Sequence, residues 1–241
     1  MAYLDWIKNL NKISESIGNT LRIFNDSISA VANIVTDIAN IFNNPDNWIA
    51  FGEMFGEQGW TIPRSATTND IVEMFDMLDE NRYDDFDTKM IMLFDDDFEE
   101  IIAGIDNSNI DIYYKGVFKQ SYQAFSQDLF HPALTSLTAI ADGLLADAVQ
   151  ENKIKFYVRI NTLENNLNLS DFISIAELAS VKKSVEIWAA SSENFKEEPN
   201  NYNRHWLMHG RTRRCLGKKD YYQLLSFVDT LIGLAFNNEV S

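Results

Sequence analysis

Cysteine, proline and glycine are all scarce in this chain, and each shortage excludes a class of structure. The 241 residues contain one cysteine, Cys215, so no intramolecular disulfide can form. There are only four prolines and ten glycines, and apolar residues recur at intervals of three and four rather than two. The pattern therefore predicts an all-α protein. A chain of this length buries roughly 70 to 75% of its unfolded surface, so it needs no disulfide to hold a core.

Long apolar runs are also missing. The longest, residues 91–94 and 231–236, fall far short of the roughly 20 residues that a membrane-spanning helix needs. No basic and apolar leader opens the chain. We therefore expect a soluble protein without membrane contact, in a reducing cytoplasm.

Basic residues are few, with 20 Lys and Arg against 36 Asp and Glu and a formal net charge of -16. Residues 70–111 hold fifteen of the acids and only Arg82 and Lys89 as bases. A solvated outer face is the favoured interpretation, because exposed charges are screened within about 10 Å. The alternatives are a surface that docks a basic partner and one that keeps nucleic acid away. Residues 95–97 are three aspartates, but consecutive helical positions point in different directions and do not predict a metal site.

An apolar series with helical spacing runs through the first part of the chain. Its members are Ile7, Leu10, Ile17, Leu21, Phe24, Ile28, Val31, Val35, Ile38 and Phe42. The series predicts an amphipathic helical segment over residues 1–45, ahead of a helical domain over residues 46–241. The flanking positions hold Asn, Ser and Ala rather than Glu and Lys, so no pattern of charges specifies a partner helix. Packing on the chain's own domain and a dimeric or partner-binding coiled coil therefore both stay open.

Further helices follow from apolar spacing and capping residues. They are predicted over about residues 45–55, 69–78 (capped by Thr68 or Asn69), 84–105, 132–149, 171–188 and 220–236, with the apolar helix 132–149 at the centre. Residues 154–158 fit either a strand or a helix. The aromatic stripe over residues 112–127 favours a core role over a base-stacking platform.

Histidine is the rarest side chain for acid and base chemistry, and two of the three fall within residues 203–210, which read Asn-Arg-His-Trp-Leu-Met-His-Gly. Histidine titrates near neutral pH, and arginine carries a permanent charge that suits phosphate. Five bases follow with no acid before Asp220, a group that we call the basic strip: Arg211, Arg213, Arg214, Lys218 and Lys219. Such a strip in an acidic protein suggests a ligand that bears phosphate.

The pair Arg204 and His209, with four residues between them, resembles the R-x4-6-H signature of the HEPN superfamily. Residues 59–63 (Gly-Trp-Thr-Ile-Pro) and 131–145 resemble segments of one bacterial branch, so the likeness spans residues 59–236. The resemblance implies an HEPN-like helical bundle, here with an additional N-terminal helical segment. It also implies a metal-independent endoribonuclease without a cofactor, used as a toxin or in abortive-infection defence against phage.

Roles for individual residues follow from the resemblance. It implies that Arg204 and His209 are catalytic and that Asn203, His205 and Asp142 support them, while the basic strip binds the RNA backbone. Attack by the ribose 2′-hydroxyl would leave 2′,3′-cyclic phosphate and 5′-hydroxyl ends. The partners would be an RNA substrate and a protein such as an antitoxin.

A homodimer is a further expectation. Five residues on an ideal helix are separated by about 140°, so Arg204 and His209 cannot share a face of a straight helix. Either Arg204 lies in the first turn, or a symmetric partner contributes the second set of side chains. In the family the motif faces a dimer cleft, so we expect two protomers to build one composite site.

Other interpretations of the same residues stay open. His205 and His209 are spaced like a pair of metal ligands. Arg204 and the two histidines can equally serve to satisfy buried polar groups and cap a helix. The basic strip can also neutralise the acidic helices, and the whole chain can be a non-catalytic module that binds RNA, nucleotide or protein. Residues 206–208 are predicted to anchor the motif in the core. Arg211 stands where relatives that are silenced by adenylylation carry a tyrosine, so that control is not expected.

Overall fold

The computed structural model describes residues 44–150, 156–167, 171–190 and 196–236. Within these ranges every regular element is helical, which confirms the all-α prediction. The helices are α1 Pro45–Glu57, α2 Thr68–Asp79, α3 Tyr83–Asp96, α4 Phe98–Asn107, α5 Ile112–Phe125, α6 Phe130–Val149, α7 Phe156–Asn166, α8 Phe172–Trp188, α9 Arg204–Met208 and α10 Lys218–Phe236. The amphipathic segment predicted over residues 1–45 lies outside the described residues except for its last two, and it stays a prediction.

Local capping explains where several helices begin. The Asn44 side chain accepts from the Asp46 amide at 3.1 Å, with Pro45 in the first helical position. Helix α2 starts one residue earlier than predicted, because its cap is Thr67. The Thr67 hydroxyl accepts from the Asp70 amide at 3.3 Å, and the Asp70 carboxylate accepts from the Thr67 amide at 3.0 Å, which closes a capping box.

The single helix predicted over residues 84–105 is two helices, so that prediction was wrong. The chain bends at Asp97, where φ is -99° and ψ is 7°. Three successive aspartates are poor helix formers, which weakens the helix here. The bend separates Phe94 in α3 from Phe98 in α4, and both rings pack on Tyr222 of α10, with centroids 5.4 and 5.6 Å away.

Helices α1 and α8 pack with their backbones almost in contact. A Cβ atom at Gly52 would lie 2.1 Å from the Ala176 carbonyl oxygen, and one at Gly56 would lie 2.7 Å from the Ser180 carbonyl oxygen. Glycine at both positions is therefore what allows the two helices to approach this closely.

An extended segment over residues 60–63 crosses between α8 and α10, and its backbone bonds to small hydroxyl side chains. The Ser184 hydroxyl donates to the Trp60 carbonyl at 3.1 Å, and the Ile62 amide donates to the Ser180 hydroxyl at 3.3 Å. Trp60 is fully buried, and its ring nitrogen donates to Asp87 at 2.8 Å. The Thr61 amide donates to the Ser226 hydroxyl of α10 at 3.3 Å. The buried segment thus ties α3, α8 and α10 together without secondary structure of its own.

Helix α6 is the central helix, as predicted, and it packs against α5, α7, α9 and α10. Of the helices within the described residues, α6 is the one that is long and apolar enough to cross a membrane, judged by length and composition only. Its most apolar window is 56% buried inside the domain, which is consistent with the core helix of a soluble protein. Helix α7 begins at Phe156, so the described part of the undecided segment 154–158 is helical.

Candidate functional site

The motif at residues 203–210 folds as a short helix that Asn203 caps at its start. The Asn203 side-chain oxygen accepts from the Trp206 amide at 3.2 Å. Its amide nitrogen donates to the carbonyls of Ile187 and Ala190, at 3.3 and 3.1 Å, around the end of α8. Asn203 is only 5% exposed. In this structure it therefore holds α9 in place instead of facing a ligand.

Gly210 ends the same helix directly after His209. It has a φ of 63°, in the left-handed region that favours glycine. Its amide donates to the Leu207 carbonyl at 3.0 Å, and the Arg211 amide donates to the Trp206 carbonyl at 2.9 Å. This pair of bonds is the Schellman arrangement. It places His209 at the exposed carboxyl end of α9.

The middle of the motif faces the core, with one exception. Trp206 and Leu207 are 6% and 4% exposed, so they anchor the helix as predicted. Met208 is 46% exposed, and the prediction that it anchors the core was wrong. Each helical residue turns by about 100°, which puts Met208 nearly opposite Trp206. Caps and core contacts thus account for four of the eight motif residues, and besides the exposed Met208 they leave Arg204, His205 and His209.

Two contacts join the start of α9 to one face of α6. The hydroxyls of Tyr202 and Thr138 lie 2.5 Å apart in the core. One turn further along α6, the Asp142 carboxylate (Oδ2) accepts from Arg204 Nη2 at 3.5 Å. The structure therefore brings Asp142 to Arg204, the residue that the resemblance implied it supports. The Arg204 side chain is 32% exposed.

A second arginine, Arg159 of α7, binds the same aspartate and was missed at the sequence level. Its Nη1 donates to the Asp142 carboxylate (Oδ1) at 3.0 Å and to the Asp142 carbonyl at 3.1 Å. We call Asp142, Arg159 and Arg204 the Asp142 cluster. A signal was present, because Arg159 is four residues before the buried Leu163 and so lies on the apolar face of α7. A cation at such a position is seldom buried without a partner.

The two motif histidines meet beside this cluster. The rings of His205 and His209 are edge to face, with centroids 4.5 Å apart. Burial lowers the pKa of His205, and the positive charges of His209 and Arg204 lower it further. The charged form of His205 is therefore disfavoured. Arg204 lies in the first turn of α9, which is the first of the two arrangements that the spacing of the motif allowed.

Most of the basic strip is engaged with acids of the same molecule. Three of its five members form ion pairs: Arg214 with Asp220, Lys218 with Asp95, and Lys219 with Asp87. Arg211 and Arg213 are exposed, and the Arg213 amide donates to Glu198 at 2.8 Å. The paired members fit the interpretation that the strip neutralises acidic helices, while the side chains of Arg211 and Arg213 remain at the surface.

The acidic region over residues 70–111 is correspondingly not only a solvated face. Asp95 accepts from Tyr222 at 2.6 Å as well as from Lys218. Burial tends to raise the pKa of Asp95, but these two hydrogen bonds outweigh it and lower the pKa. Lys89 bridges Asp70 and Glu73, each at 2.8 Å. Some carboxylates of this region therefore join helices to one another.

The described ranges contain no group of three or more His, Cys, Asp or Glu side chains arranged to hold a metal. Within these ranges the histidine pair thus lacks a third ligand of those types. A cavity of about 470 Å³ lies between α1, α7 and α8, lined in part by Ile49, Leu167 and Leu178. None of the predicted site residues lines it. Arg204 and His205 are half-buried and His209 is exposed.

Comparison with protein-family models, with curated proteins and with solved structures gives no match to this chain.

Proposed function

We propose that this protein is a metal-independent endoribonuclease of HEPN type. One observation carries the proposal: Arg204 is held by Asp142 beside a pair of histidines on a helix that Asn203 and Gly210 cap tightly. Cleavage of RNA by its own 2′-hydroxyl needs positive charge at the phosphate and groups that accept and donate protons. These groups lie together at this surface.

In this mechanism Arg204 binds the oxygens of the scissile phosphate as negative charge builds on them. A neutral imidazole removes the proton from the 2′-hydroxyl, and a protonated imidazole donates to the departing 5′-oxygen. The lowered pKa of His205 favours its neutral form, so His205 can assist His209 in accepting the proton. His209, at the exposed end of the helix, is the histidine that reaches the RNA. The products are a 2′,3′-cyclic phosphate and a 5′-hydroxyl.

A homodimer belongs to the proposal. His209 is exposed and Arg204 and His205 are half-buried on one protomer, whereas cleavage is favoured where water is excluded and charges act strongly. A second protomer facing α9 would enclose the site and add another Arg204 and His209. The proposed biological role, phage defence or growth arrest with an antitoxin as partner, rests on the resemblance of the motif.

The test is incubation of purified protein with total RNA in the presence of EDTA, followed by analysis of the RNA ends. We expect cleavage with cyclic phosphate ends. Arg204→Ala and His209→Ala should each slow cleavage by about 100-fold or more. Met208→Ala, an exposed position on the same helix, is the matched control and should retain the rate.

Three results would count against the proposal in different ways. Loss of cleavage with EDTA alone would point to a metal on the histidine pair. Intact RNA that still binds would indicate a non-catalytic module. Cleavage that persists in the Arg204→Ala variant would place the active site elsewhere.

A further inference from the structure

Arg159 lies in the interior next to the proposed site but is not one of the motif residues. It is 9% exposed and reaches Asp142 from α7. We propose that Arg159 is a positioning residue, which acts through Asp142 to set the orientation of Arg204. The inference rests on the proposed function, because it assigns Arg204 to the scissile phosphate.

The two oxygens of the Asp142 carboxylate have different partners. Oδ1 accepts from Arg159 at 3.0 Å, while Oδ2 faces Arg204 at 3.5 Å. Arg159 also donates to the backbone carbonyl of Asp142 at 3.1 Å. A guanidinium that binds the side chain and the backbone of one residue restricts the rotation of that side chain. Asp142 is thereby fixed with a single oxygen toward Arg204.

This division of the carboxylate matters for phosphate binding. An arginine and a carboxylate prefer a bidentate pair with two parallel hydrogen bonds. If Arg159 did not occupy Oδ1, Asp142 could rotate and take Arg204 in such a pair, in competition with a phosphate. Arg159 limits Asp142 to orienting Arg204. Burial on α7 keeps Arg159 itself away from the substrate.

Arg159→Met removes the charge but keeps much of the apolar length. We expect kcat for RNA cleavage to fall about 10- to 100-fold with KM changed less than about threefold, because misplacement of a catalytic group by about 1 Å has an effect of this size. Arg159→Lys should recover part of the loss, since an ammonium can still hold Oδ1. In an Asp142→Asn background, Arg159→Met should have no further effect.

A spectroscopic measurement tests the relay without RNA. In ¹⁵N-labelled protein the Nε–Hε resonance of Arg204, assigned by its disappearance in Arg204→Lys, should shift in Arg159→Met and in Asp142→Asn. Glu164→Gln is the control, because it breaks an ion pair between α7 and α8, with Lys182, and leaves Asp142 untouched. Circular dichroism checks that each variant is folded, and Asp142→Asn tests the relay if Arg159→Met does not fold.

The outcomes separate this inference from the proposed function. If wild-type protein does not cleave RNA but the Arg204 resonance moves as expected, the enzyme proposal fails and the positioning role stands. An Arg204 resonance that is unchanged in Arg159→Met would overturn the positioning role even for an active enzyme. A loss of kcat that is as large in the Asp142→Asn background as in the wild type would also overturn it.

Discussion

The imidazole rings of His205 and His209 lie edge to face, with their centroids 4.5 Å apart. Two protonated rings at this distance repel each other, so the second proton binds less readily than the first. Burial and the nearby Arg204 charge act in the same direction on His205. The charged form of His205 is therefore disfavoured, which suits a residue that is to accept a proton.

The first prediction concerns the titration of His205. Its pKa should lie below 6.5, the value of an ordinary histidine, and His209→Ala should raise it, because one positive neighbour is removed. The imidazole proton resonances followed by NMR between pH 4 and 8 measure both values. A His205 that titrates at or above 6.5 in the wild type would show that its surroundings do not disfavour the charged form. For the enzyme, the acid limb of the cleavage rate should have its midpoint below that same value.

The second prediction concerns the cap of α9. Asn203→Ala removes the bond to the Trp206 amide and both bonds to the carbonyls at the end of α8. The free energy of unfolding should fall by about 1 to 2 kcal/mol, the usual cost of losing such a cap. Chemical denaturation measures the loss. His209→Ala is the comparison, since an exposed residue at the end of the helix should change stability by less than about 0.5 kcal/mol.

Much of the local structure was predictable because it depends on residues close in sequence. The Asn44 and Asp171 caps, with Asp171 accepting from the Ser174 amide at 2.8 Å, involve neighbours two or three positions away. The apolar face of α6 follows from helical spacing alone. By contrast, the break at Asp97 accompanies packing on Tyr222, a residue far along the chain. No local pattern in the sequence reports that contact.

The same limit applies to the candidate site: its local features follow from the sequence, and its long-range contacts do not. Two histidines on one face of a helix follow from their spacing of four residues, and the 4.5 Å between their rings agrees. The contact between Arg204 and Asp142 spans 62 positions, and only the resemblance to a family suggested it. Arg159 was missed because its place on the apolar face of α7 indicates burial but does not indicate which helix it faces. Met208 was wrongly predicted to be buried, because α9 has only five residues and buries one side.

The third prediction separates the two parts of the basic strip. Lys218 is paired with Asp95 at 2.9 Å, whereas the Arg213 side chain is exposed. If RNA lies along the strip, Arg213→Ala should weaken RNA binding and lower the salt dependence of the affinity by about one released ion. Lys218→Ala should weaken binding less, because Asp95 already neutralises that ammonium. Equal losses in affinity for the two variants would show that the ion pair opens when RNA binds.

The fourth prediction concerns Glu177 of α8, a buried carboxyl outside the proposed site. It is 8% exposed, and burial raises its pKa from 4.5 to about 7, although the charge of Arg64 acts against the shift. The folded protein therefore holds a proton on Glu177 between pH 4.5 and 7, where the unfolded chain does not. By linkage, this carboxyl makes the folded state less stable as pH rises through that range, with no further change above it.

Glu177→Gln removes the proton equilibrium and keeps the size of the side chain. The variant should match the wild type in stability near pH 4.5 and become more stable as pH approaches 7, by up to about 3 kcal/mol on the scale of 1.36 kcal/mol per pKa unit. Urea denaturation at several pH values measures the difference, and Glu99→Gln, at an exposed position of α4, is the control. A difference that stays constant from pH 4.5 to 8 would mean that the Glu177 carboxyl is solvated in the folded protein. A variant that is less stable at pH 8 would mean that the carboxylate is paired there, and that Arg64 outweighs burial.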